Sequence, residues 1–395
     1  MPILVCNSGS SSLKFSLFEA EDERLLAEGG IDWSTTPTRL VVHCTGQPEV
    51  REELALRHHA DAIVHILDAL QVGPAAPLQA LGDIQAVGHR VVHGGERYTA
   101  AVLITPEVKQ AIGALAELAP LHNPPSLDGI NAVEQALPGV PQMAVFDTAF
   151  HATLSEAART YPVPQQWRRE WGVRRYGFHG LSHAYCASRA AQMLGRQDVR
   201  LIIAHLGNGA SVSAVRHGLC VDTSMGFTPL EGLMMGTRSG TIDPGILVYL
   251  LRQKDLDADQ LDHALNYESG LLGVSGVSSD MRQVLAAAPH HAEARLAIDV
   301  YVHRIRQTVG AMAATLGGVD ALVFTAGVGE HAAEIRAWVC ENLGYLGLAL
   351  DRTANNVCQP DADVALPASN GRILVIATRE DVTIVRETRQ LLTRS

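Results

Sequence analysis

The sequence predicts an α/β protein composed of two halves with a similar pattern, and three observations support this. Short apolar runs rich in β-branched residues alternate with amphipathic, helix-like segments, which is typical of layered α/β folds. A strand, a polar turn and a second strand occur near residue 1 and again near residue 200. The length of 395 residues is enough for two or three domains with substantial cores.

In the first half, strands are predicted where short apolar runs stand between turn-forming residues, and helices where apolar residues recur at helical spacing. The predicted strands cover residues 2–6, 13–18, 39–43, 50–56, 84–92 and 142–147. The predicted helices cover residues 60–70, 106–118 and 126–137. We place the domain boundary just after Asp147, which ends the last of these strands.

The second half repeats the pattern. The predicted strands cover residues 201–205, 211–216, 321–325 and 373–377, and a long helix covers 292–316. Residues 326–330 are predicted to form a glycine-rich turn, followed by a helix to about residue 342. Glu380 is predicted to open a final helix.

Composition excludes several classes of protein. The net charge is −11, and lysine occurs only at positions 14, 109 and 254. No lysine follows a glycine, so a Walker A loop cannot form, and the lack of a basic tract argues against nucleic-acid binding. Six scattered cysteines indicate a reducing compartment. Because there is no signal peptide pattern and no apolar run of roughly 20 residues, we expect a cytoplasmic protein without membrane contact.

Two turns carry small residues suited to phosphate binding. Residues 7–14 read NSGSSSLK, and residues 205–209 read HLGNG. Backbone N–H groups and hydroxyls in such turns can surround phosphate oxygens, and Lys14 adds a point charge. An ordinary hairpin turn is the alternative for each.

A third glycine-rich segment allows a different class of protein. Residues 327–332, GVGEHA, follow a predicted strand and fit Gly-x-Gly-x-x-Ala, and Asp351 lies where a ribose-binding acid would be expected. This pattern is the best case for an NAD-dependent dehydrogenase. The short stretch of chain after Ala332 is too little to complete such a domain, which argues against it.

Charged residues at strand or loop ends suggest chemistry on anions. Arg90 and Arg238 stand between glycines and can clamp a carboxylate or phosphoryl group. His179 and His183 are four residues apart, but Gly180 breaks the helix and no third zinc ligand is evident, so His179 is better suited to contact a transferring group. Together with carboxylates such as Asp147, these features favour phosphoryl transfer, which depends on positioning and charge neutralisation.

The motifs together resemble the acetate kinase family over essentially the whole chain. The resemblance rests on residues 7–14, 88–95, 175–183, 205–209, 225–244 (MGFTPLEGLMMGTRSGTIDP), 279–282 and 327–330. It implies the fold of the acetate and sugar kinase, actin and Hsp70 superfamily, with two duplicated actin-like (RNase H-like) βββαβαβα domains around a central cleft. It also implies an acyl-acceptor domain over residues 1–150, completed by a C-terminal helix 382–395, and a nucleotide-binding domain over 151–381.

The resemblance further implies a homodimer that uses ATP and Mg²⁺, or Mn²⁺ in its place, to phosphorylate acetate reversibly to acetyl phosphate. Asn7 and Glu380 would hold the metal, Arg90 would bind acetate, and Arg238 and His179 would stabilise the transferring phosphoryl group. Asp147 would be the active-site acid; since acetate is already ionised, orienting Arg90 or a metal-bound water is an equal alternative. The implied methyl pocket comprises Val92, Leu121, Phe178 and Pro229. The implied nucleotide-binding set comprises Ser10, Ser12, Lys14, His205, Leu206, Gly207, Asn208, Gly209, Asp280, Met281, Arg282, Gly327, Val328, Gly329, Glu330 and His331.

Some positions depart from the family pattern. Arg379 stands beside Glu380 where the family usually has Asn, and we expect its charge to alter nucleotide or metal affinity. Ala326 and His331 replace the commoner Gly and Asn.

Propionate kinase of the same family is the near alternative, because one methylene changes binding by only about 1–3 kcal/mol. Val92 narrows the implied pocket relative to Gly or Ala and so favours acetate. An Hsp70- or actin-like nucleotide switch is an alternative of another class, but it leaves Arg90 and Arg238 without a purpose.

Overall fold

The computed structural model describes residues 1–34, 37–56, 58–72, 76–120, 122–254 and 256–393. The chain divides into two compact units, one of Met1–Phe150 with Arg379–Ser395 and the other of His151–Thr378. Within the described ranges, no helix combines the length and apolar composition that a membrane span requires.

The first unit is built on an eight-stranded sheet. Its strands are β1 (Pro2–Ser8), β2 (Ser12–Glu19), β3 (Arg24–Asp32), β4 (Thr38–Cys44), β5 (Val50–Leu54), β6 (Ala86–Val91), β7 (Val102–Leu103) and β8 (Gln142–Phe146). Its first three helices are α1 (His59–Gln71), α2 (Pro106–Ala114) and α3 (Asn123–Ala136). Short 3₁₀ turns lie at Leu81–Asp83 and Leu115–Glu117, and a third at Ala149–Thr153 crosses the boundary between the units.

The second unit is built on a six-stranded sheet. Its strands are β9 (Arg200–Leu206), β10 (Ala210–Arg216), β11 (Leu219–Thr223), β12 (Ala321–Thr325), β13 (Ala362–Asp363) and β14 (Arg372–Val375). Its helices are α4 (Glu156–Arg159), α5 (Gln165–Glu170), α6 (Gly180–Leu194), α7 (Pro244–Gln253), α8 (Ala258–Tyr267), α9 (Gly270–Ser275), α10 (Met281–Ala287), α11 (Ala292–Leu316), α12 (Ala326–His331), α13 (Ala333–Cys340) and α14 (Arg352–Val357), with a 3₁₀ turn at Gly344–Leu346.

The last helix, α15 (Glu380–Leu392), returns to the first unit. It packs so closely on β6 that a Cβ at Gly88 would lie 2.5 Å from Ile384 and 2.6 Å from Thr388. Arg386 of this helix also forms a two-point ion pair with Glu23, with N–O distances of 2.8 and 2.7 Å. The predicted helix 382–395 therefore begins at Glu380, and its last two residues lie outside the described ranges.

The two sheets share one order over six strands, which confirms the predicted duplication. The first runs β5-β4-β3-β2-β1-β6-β8-β7 and the second runs β11-β10-β9-β12-β14-β13. In each shared set, three antiparallel strands (β3-β2-β1 or β11-β10-β9) are followed by two strands that run parallel to the third of them. The first sheet has two further antiparallel strands, β4 and β5, at its edge. The carboxyl ends of β1, β6 and β8 therefore share one edge, and so do those of β9, β12 and β14. Binding residues in open α/β sheets are found at such edges.

The core of the first unit lies between its sheet and the helices α1 and α3. Buried side chains from the sheet, such as Leu4 and Leu17, form one cluster with Ile63 and Ile66 of α1 and Val133 of α3. Burial of each of these side chains contributes about 1.5–3 kcal/mol. The apolar face of α1, which the helical spacing predicted, is the face in this core.

Two local expectations need correction. The pattern did not predict β3, because its Glu28-Gly29-Gly30 segment is typical of a loop; in the structure, Gly29 lies where a Cβ would be 2.0 Å from the Val41 carbonyl oxygen. The predicted turn over residues 326–330 is wrong, because this segment forms the short helix α12. The Glu330 carboxylate accepts a hydrogen bond of 2.8 Å from the Ala326 N–H, which closes the first turn of that helix.

Candidate active site

In the first unit, Arg90 joins two carboxylates at the carboxyl edge of the sheet. Its guanidinium donates to both carboxylate oxygens of Asp147, over 3.1 and 2.7 Å, and lies 3.2 Å from Glu380. Asp147 directly follows β8, the parallel neighbour of β6, and is 1% exposed. Arg90, Asp147 and Glu380 therefore form a cluster in which one positive charge lies beside two carboxylates, whose oxygens can also bind a metal ion.

The pKa values of Arg90 and Asp147 depend on each other. Burial alone would lower the pKa of Arg90, but Asp147 and Glu380 raise it above its ordinary value. Burial raises the pKa of Asp147, and Arg90 acts in the opposite direction. A fork-to-fork pair of this kind is strong and directional, so Asp147 holds the orientation of Arg90.

The predicted phosphate turn follows β1 in the same unit. Its backbone closes through a 2.7 Å bond from Gly9 N–H to the Ser12 carbonyl. Ser12 and Lys14 lie two residues apart on β2 and so share one face of the strand. Lys14 is exposed, Ser12 is half-buried, and Ser10 is exposed at the tip of the turn. In the parallel pair of β1 and β6, Cys6 lies opposite His89. The next residues along the two strands are Asn7 and Arg90, so these two lie side by side at the end of the pair.

Two aromatic side chains that the sequence analysis missed hold this turn. The Trp33 indole donates to the Ser10 carbonyl over 3.3 Å, and the His59 Nε2 lies 3.0 Å from the Gly9 carbonyl oxygen. The two rings meet edge to face with centroids 5.0 Å apart. No sequence pattern links these positions, because Trp33 follows β3 and His59 begins α1, and only the packing of the folded unit brings them to this turn.

In the second unit, Arg238 and His179 converge on one glycine. A Cβ at Gly209 would lie 3.0 Å from Arg238 Nη2 and 3.3 Å from His179 Nε2. Arg238 is held by a 2.7 Å hydrogen bond from Nη1 to the Pro229 carbonyl, and burial lowers its pKa. His179 has a left-handed φ of 58° and immediately precedes α6. Left-handed backbone at a non-glycine residue is costly and is commonly found at functional sites.

The ring of His179 stacks on His205, the next-to-last residue of β9, with centroids 4.3 Å apart. The Nδ1 of His205 lies 2.8 Å from the Ser182 hydroxyl, which also accepts from Thr378 over 2.9 Å. The expectation that Gly180 breaks the helix is wrong, because Gly180 is the first residue of α6 and His183 lies within that helix. The rings of His179 and His183 both contact Ser211 instead of a shared metal site.

A cavity of about 740 Å³ lies beside the turn of residues 207–209. The structure brings parts of three predicted segments together in its wall: residues 207–208, residues 280–282, and Gly327, Val328 and His331. The lining side chains and backbone belong to Gly207, Asn208, Leu271, Ser279, Asp280, Met281, Arg282, Leu285, Gly327, Val328, His331, Ala332 and Glu334. Its volume is within the range of small-molecule and cofactor sites.

Some predicted residues of these segments are not in the cavity wall. Leu206 is fully buried, and Gly329 packs behind the wall, where a Cβ would lie 3.7 Å from Leu206. Glu330 Oε1 accepts from the N–H groups of Ala326 and Thr378, so it links β12 to the segment after β14. Asp351 caps α14 by accepting from Thr353 and Ala354, which places it in a helix cap and not in a ribose site.

The residues predicted for a methyl pocket are divided between the units. Val92 is half-buried after β6 in the first unit. Phe178 is 1% exposed in the second unit, where its carbonyl oxygen lies 2.9 Å from His151 Nε2. Pro229 contributes the carbonyl that holds Arg238, and Leu121 lies outside the described residues.

Two sheets that share one order over six strands, with a turn of small residues after the first strand of each, define an actin-like fold. The profile of the Acetokinase family matches residues 2–386. The chain belongs to this family.

Relatives and solved structures agree with this assignment. The chain is 52% identical over 393 residues to the acetate kinase of Acaryochloris marina, covering 98% of each chain. It superposes on the crystal structure of Porphyromonas gingivalis acetate kinase with a TM-score of 0.93 at 41% identity, covering 99% of both chains. A propionate kinase from Francisella tularensis superposes with a TM-score of 0.91 at 39% identity, covering 98% of this chain and 99% of the other.

Proposed function

We propose that this protein is an acetate kinase that transfers the terminal phosphoryl group of ATP reversibly to acetate, forming acetyl phosphate. Its membership of the Acetokinase family and its 52% identity to a relative named acetate kinase support this activity. The transfer is direct, with the acetate oxygen in line with the leaving oxygen of ADP.

One observation in the second unit carries the proposal. The turn of residues 207–209 faces the 740 Å³ cavity through Gly207 and Asn208, and its next residue, Gly209, faces Arg238 and His179. A nucleotide with its nucleoside in the cavity would therefore have its terminal phosphate directed along the turn toward two hydrogen-bond donors. Phosphoryl transfer needs this positioning and charge stabilisation more than covalent catalysis.

The nucleotide-binding roles follow from this placement. Residues 280–282 flank the adenine, Gly327, Val328 and His331 contact the ribose and phosphates, and His205 with residues 207–209 surrounds the phosphates. Leu206, Gly329 and Glu330, which were also predicted to bind the nucleotide, support these segments from behind the cavity wall. Arg238 and His179 stabilise the charge on the transferring group. In the first unit, Ser10, Ser12 and Lys14 contact the nucleotide phosphates. We assign the first unit as the acyl-acceptor domain and the second as the nucleotide-binding domain.

Arg90 binds the acetate carboxylate in this proposal. Acetate is ionised at neutral pH, so no base is needed to activate it. The two-point bond from Arg90 to Asp147 therefore supports a positioning role for Asp147, which holds the guanidinium in one orientation.

The oxygen donors near Arg90 fit Mg²⁺. They are the amide of Asn7 and the carboxylates of Asp147 and Glu380, and no group of three or more His, Cys, Asp or Glu side chains suited to a metal occurs among the described residues. Mg²⁺ is typically held by one or two carboxylates together with water and substrate phosphates. Asn7 and Glu380 would hold Mg²⁺, or Mn²⁺ in its place, which neutralises phosphate charge when bound.

The preferred acyl acceptor is acetate, with propionate the alternative because a structural neighbour carries that name. Val92, Leu121, Phe178 and Pro229 are the proposed methyl-pocket residues. One additional methylene changes binding by about 1–3 kcal/mol. We expect kcat/KM to decrease from acetate to propionate to butyrate.

Trapping of the acyl phosphate tests the activity. Purified protein, ATP and Mg²⁺ are incubated with each acid and hydroxylamine, and the hydroxamate is measured. Hydroxamate that requires both ATP and acetate supports the proposal. ATP hydrolysis without an acyl product would instead indicate a nucleotide switch, and equal or better use of propionate would make the protein a propionate kinase.

We also propose a homodimer formed through α7. Four large apolar side chains of this helix, Ile246, Val248, Tyr249 and Leu251, are 44–54% exposed, and α7 has no buried residue. An apolar helix without a buried face is typical of a protein interface.

Tyr249→Glu is therefore expected to give a monomer in sedimentation velocity at micromolar concentration. Tyr345→Glu is the matched control, since Tyr345 is 74% exposed but outside α7. A monomeric parent protein, or a dimeric Tyr249→Glu variant, would contradict this interface.

We also propose that the protein is located in the cytoplasm. The six cysteines are all free, and five of them are buried. Free thiols persist in reducing compartments.

A further inference from the structure

A chain of hydrogen bonds lies behind His179 in the second unit. The hydroxyl of Ser211 is 3.0 Å from His179 Nδ1 and 2.7 Å from His183 Nε2. Ser211 is in β10 and His183 is in α6, and both are fully buried. The serine oxygen therefore connects the ring that faces Gly209 to a second, fully buried ring in α6.

Counting hydrogen-bond donors determines where the protons lie in the hydrogen bonds that link His183, Ser211 and His179. A serine hydroxyl donates one proton, and a neutral imidazole carries one N–H and one bare nitrogen. Among the described residues, the buried Nδ1 of His183 has no hydrogen-bond partner. An unpaired buried N–H is costly, so the proton of His183 belongs on Nε2, where Ser211 accepts it.

The remaining bond then has one direction. Since the Ser211 oxygen accepts from His183, its own proton points to His179 Nδ1. That nitrogen is consequently the acceptor, and the ring proton of His179 is on Nε2, the atom that faces Gly209 and lies beside Arg238.

We propose that His183 and Ser211 are positioning residues that hold His179 in the tautomer with its proton on Nε2. His179 is thereby a neutral hydrogen-bond donor to the transferring phosphoryl group, with Arg238 supplying the positive charge. This inference rests on the proposed phosphotransfer function for its catalytic meaning, but the proton positions are a property of the protein alone.

The surroundings favour neutral rings. Burial lowers the pKa of His183 well below its ordinary value, and His151 and His205 lower it further. The rings of His179 and His205 are stacked at 4.3 Å, which disfavours a positive charge on both. Burial therefore favours the neutral form of His183, which is the form assumed in counting the donors.

Nitrogen NMR of the protein labelled with ¹⁵N-histidine tests the inference at neutral pH without any substrate. We expect His179 to show a protonated Nε2 and a bare Nδ1, with its signals assigned by their loss in His179→Asn. Protonation of His179 on Nδ1, or on both nitrogens, would overturn the proposal even if the enzyme is fully active.

Two variants of Ser211 distinguish a role in positioning His179 from a role in packing alone. Ser211→Ala removes the central hydroxyl, so we expect His179 to become a mixture of tautomers and kcat to fall by about tenfold, the effect of losing one hydrogen bond, with the KM for acetate unchanged. Ser211→Thr keeps the hydroxyl and is expected to restore the Nε2 proton. Ser213→Ala is the matched control, because Ser213 is equally buried on β10 but bonds to Thr223.

The outcomes distinguish this inference from the proposed function. If Ser211→Ala leaves both the tautomer and kcat as in the parent, the positioning role is wrong while the kinase activity stands. If the parent makes no acyl phosphate yet His179 has its proton on Nε2, the proposed function is wrong while the assigned proton positions stand.

Discussion

Arg238 and His179 come from segments about sixty positions apart, yet their polar atoms meet at Gly209. The space is available because Gly209 has no side chain; a Cβ there would be 3.0 Å from the arginine. A phosphoryl group in this position would be contacted by a guanidinium and an imidazole N–H, the donors best suited to its equatorial oxygens.

Arg238→Ala is expected to reduce kcat by about 100-fold, because loss of one contact to transition-state charge costs about 3 kcal/mol. Dissociation constants for ATP, measured by calorimetry, should change by less than about threefold, since a ground-state contact contributes less. Arg352→Ala, at an exposed arginine, is the control and should behave as the parent. A near-parental kcat for Arg238→Ala would rule out its proposed role.

Arg90→Ala is expected to raise the KM for acetate by at least about tenfold, because a charged hydrogen-bonding pair contributes about 1.5–3 kcal/mol. The KM for ATP should change less, and steady-state kinetics with each substrate varied measures both. Arg90→Lys retains the charge but not the two-point bond to Asp147, so it should recover only part of the loss. An unchanged KM for acetate in Arg90→Ala would contradict the assignment.

At the scale of elements, α12 shows how a short helix depends on its neighbours. Ala326 begins it with a left-handed φ of 64°, a conformation that glycine adopts without strain. The Glu330 carboxylate bonds to the N–H groups of Ala326 and Thr378 and so fixes this segment against the end of the sheet. These contacts hold an alanine in a conformation that costs about 1 kcal/mol or more.

Ala326→Gly is accordingly expected to raise the free energy of unfolding by up to about 1 kcal/mol, measured by urea denaturation. Ala337→Gly in α13 is the control, since Ala337 is in an ordinary right-handed helix and its replacement should lower stability by about 1 kcal/mol. Destabilisation of similar size in both variants would show that Ala326 is not strained.

For the whole molecule, buried histidines make stability depend on pH. Burial lowers the pKa of His89, His93 and His151 to about 4. In the unfolded chain their pKa is about 6.5. Between these values the unfolded state binds more protons, so the free energy of unfolding falls as the pH is lowered through this window.

Each of these histidines is expected to lower the free energy of unfolding at pH 5 by about 2 kcal/mol relative to pH 7. Urea denaturation at the two pH values measures the difference. His89→Gln removes one titrating group while keeping a polar side chain beside Gln142, its partner at 2.7 Å, and should reduce the difference by about 2 kcal/mol. A pH dependence identical to that of the parent would contradict the neutral, buried state of His89.

The sequence by itself determined most elements, the duplicated strand pattern and the motifs that identify the family. These depend on local periodicity and turn chemistry, as in α11, whose predicted range of residues 292–316 is confirmed. Tertiary structure alone decided β3, because Gly29 and Gly30 lie against the backbones of β4 and β2. It also decided α12, because the first turn of that helix is closed by Glu330.

Tertiary structure also decided the environment of each reactive group. Arg90 meets Asp147 and Glu380, and Ser211 meets His179 and His183, through pairing and packing of segments that are distant in the chain. Residue types reveal which groups can bind an anion. Their orientation, protonation and tautomer depend on the side chains that folding places beside them, because hydrogen bonding and desolvation act only over a few ångströms.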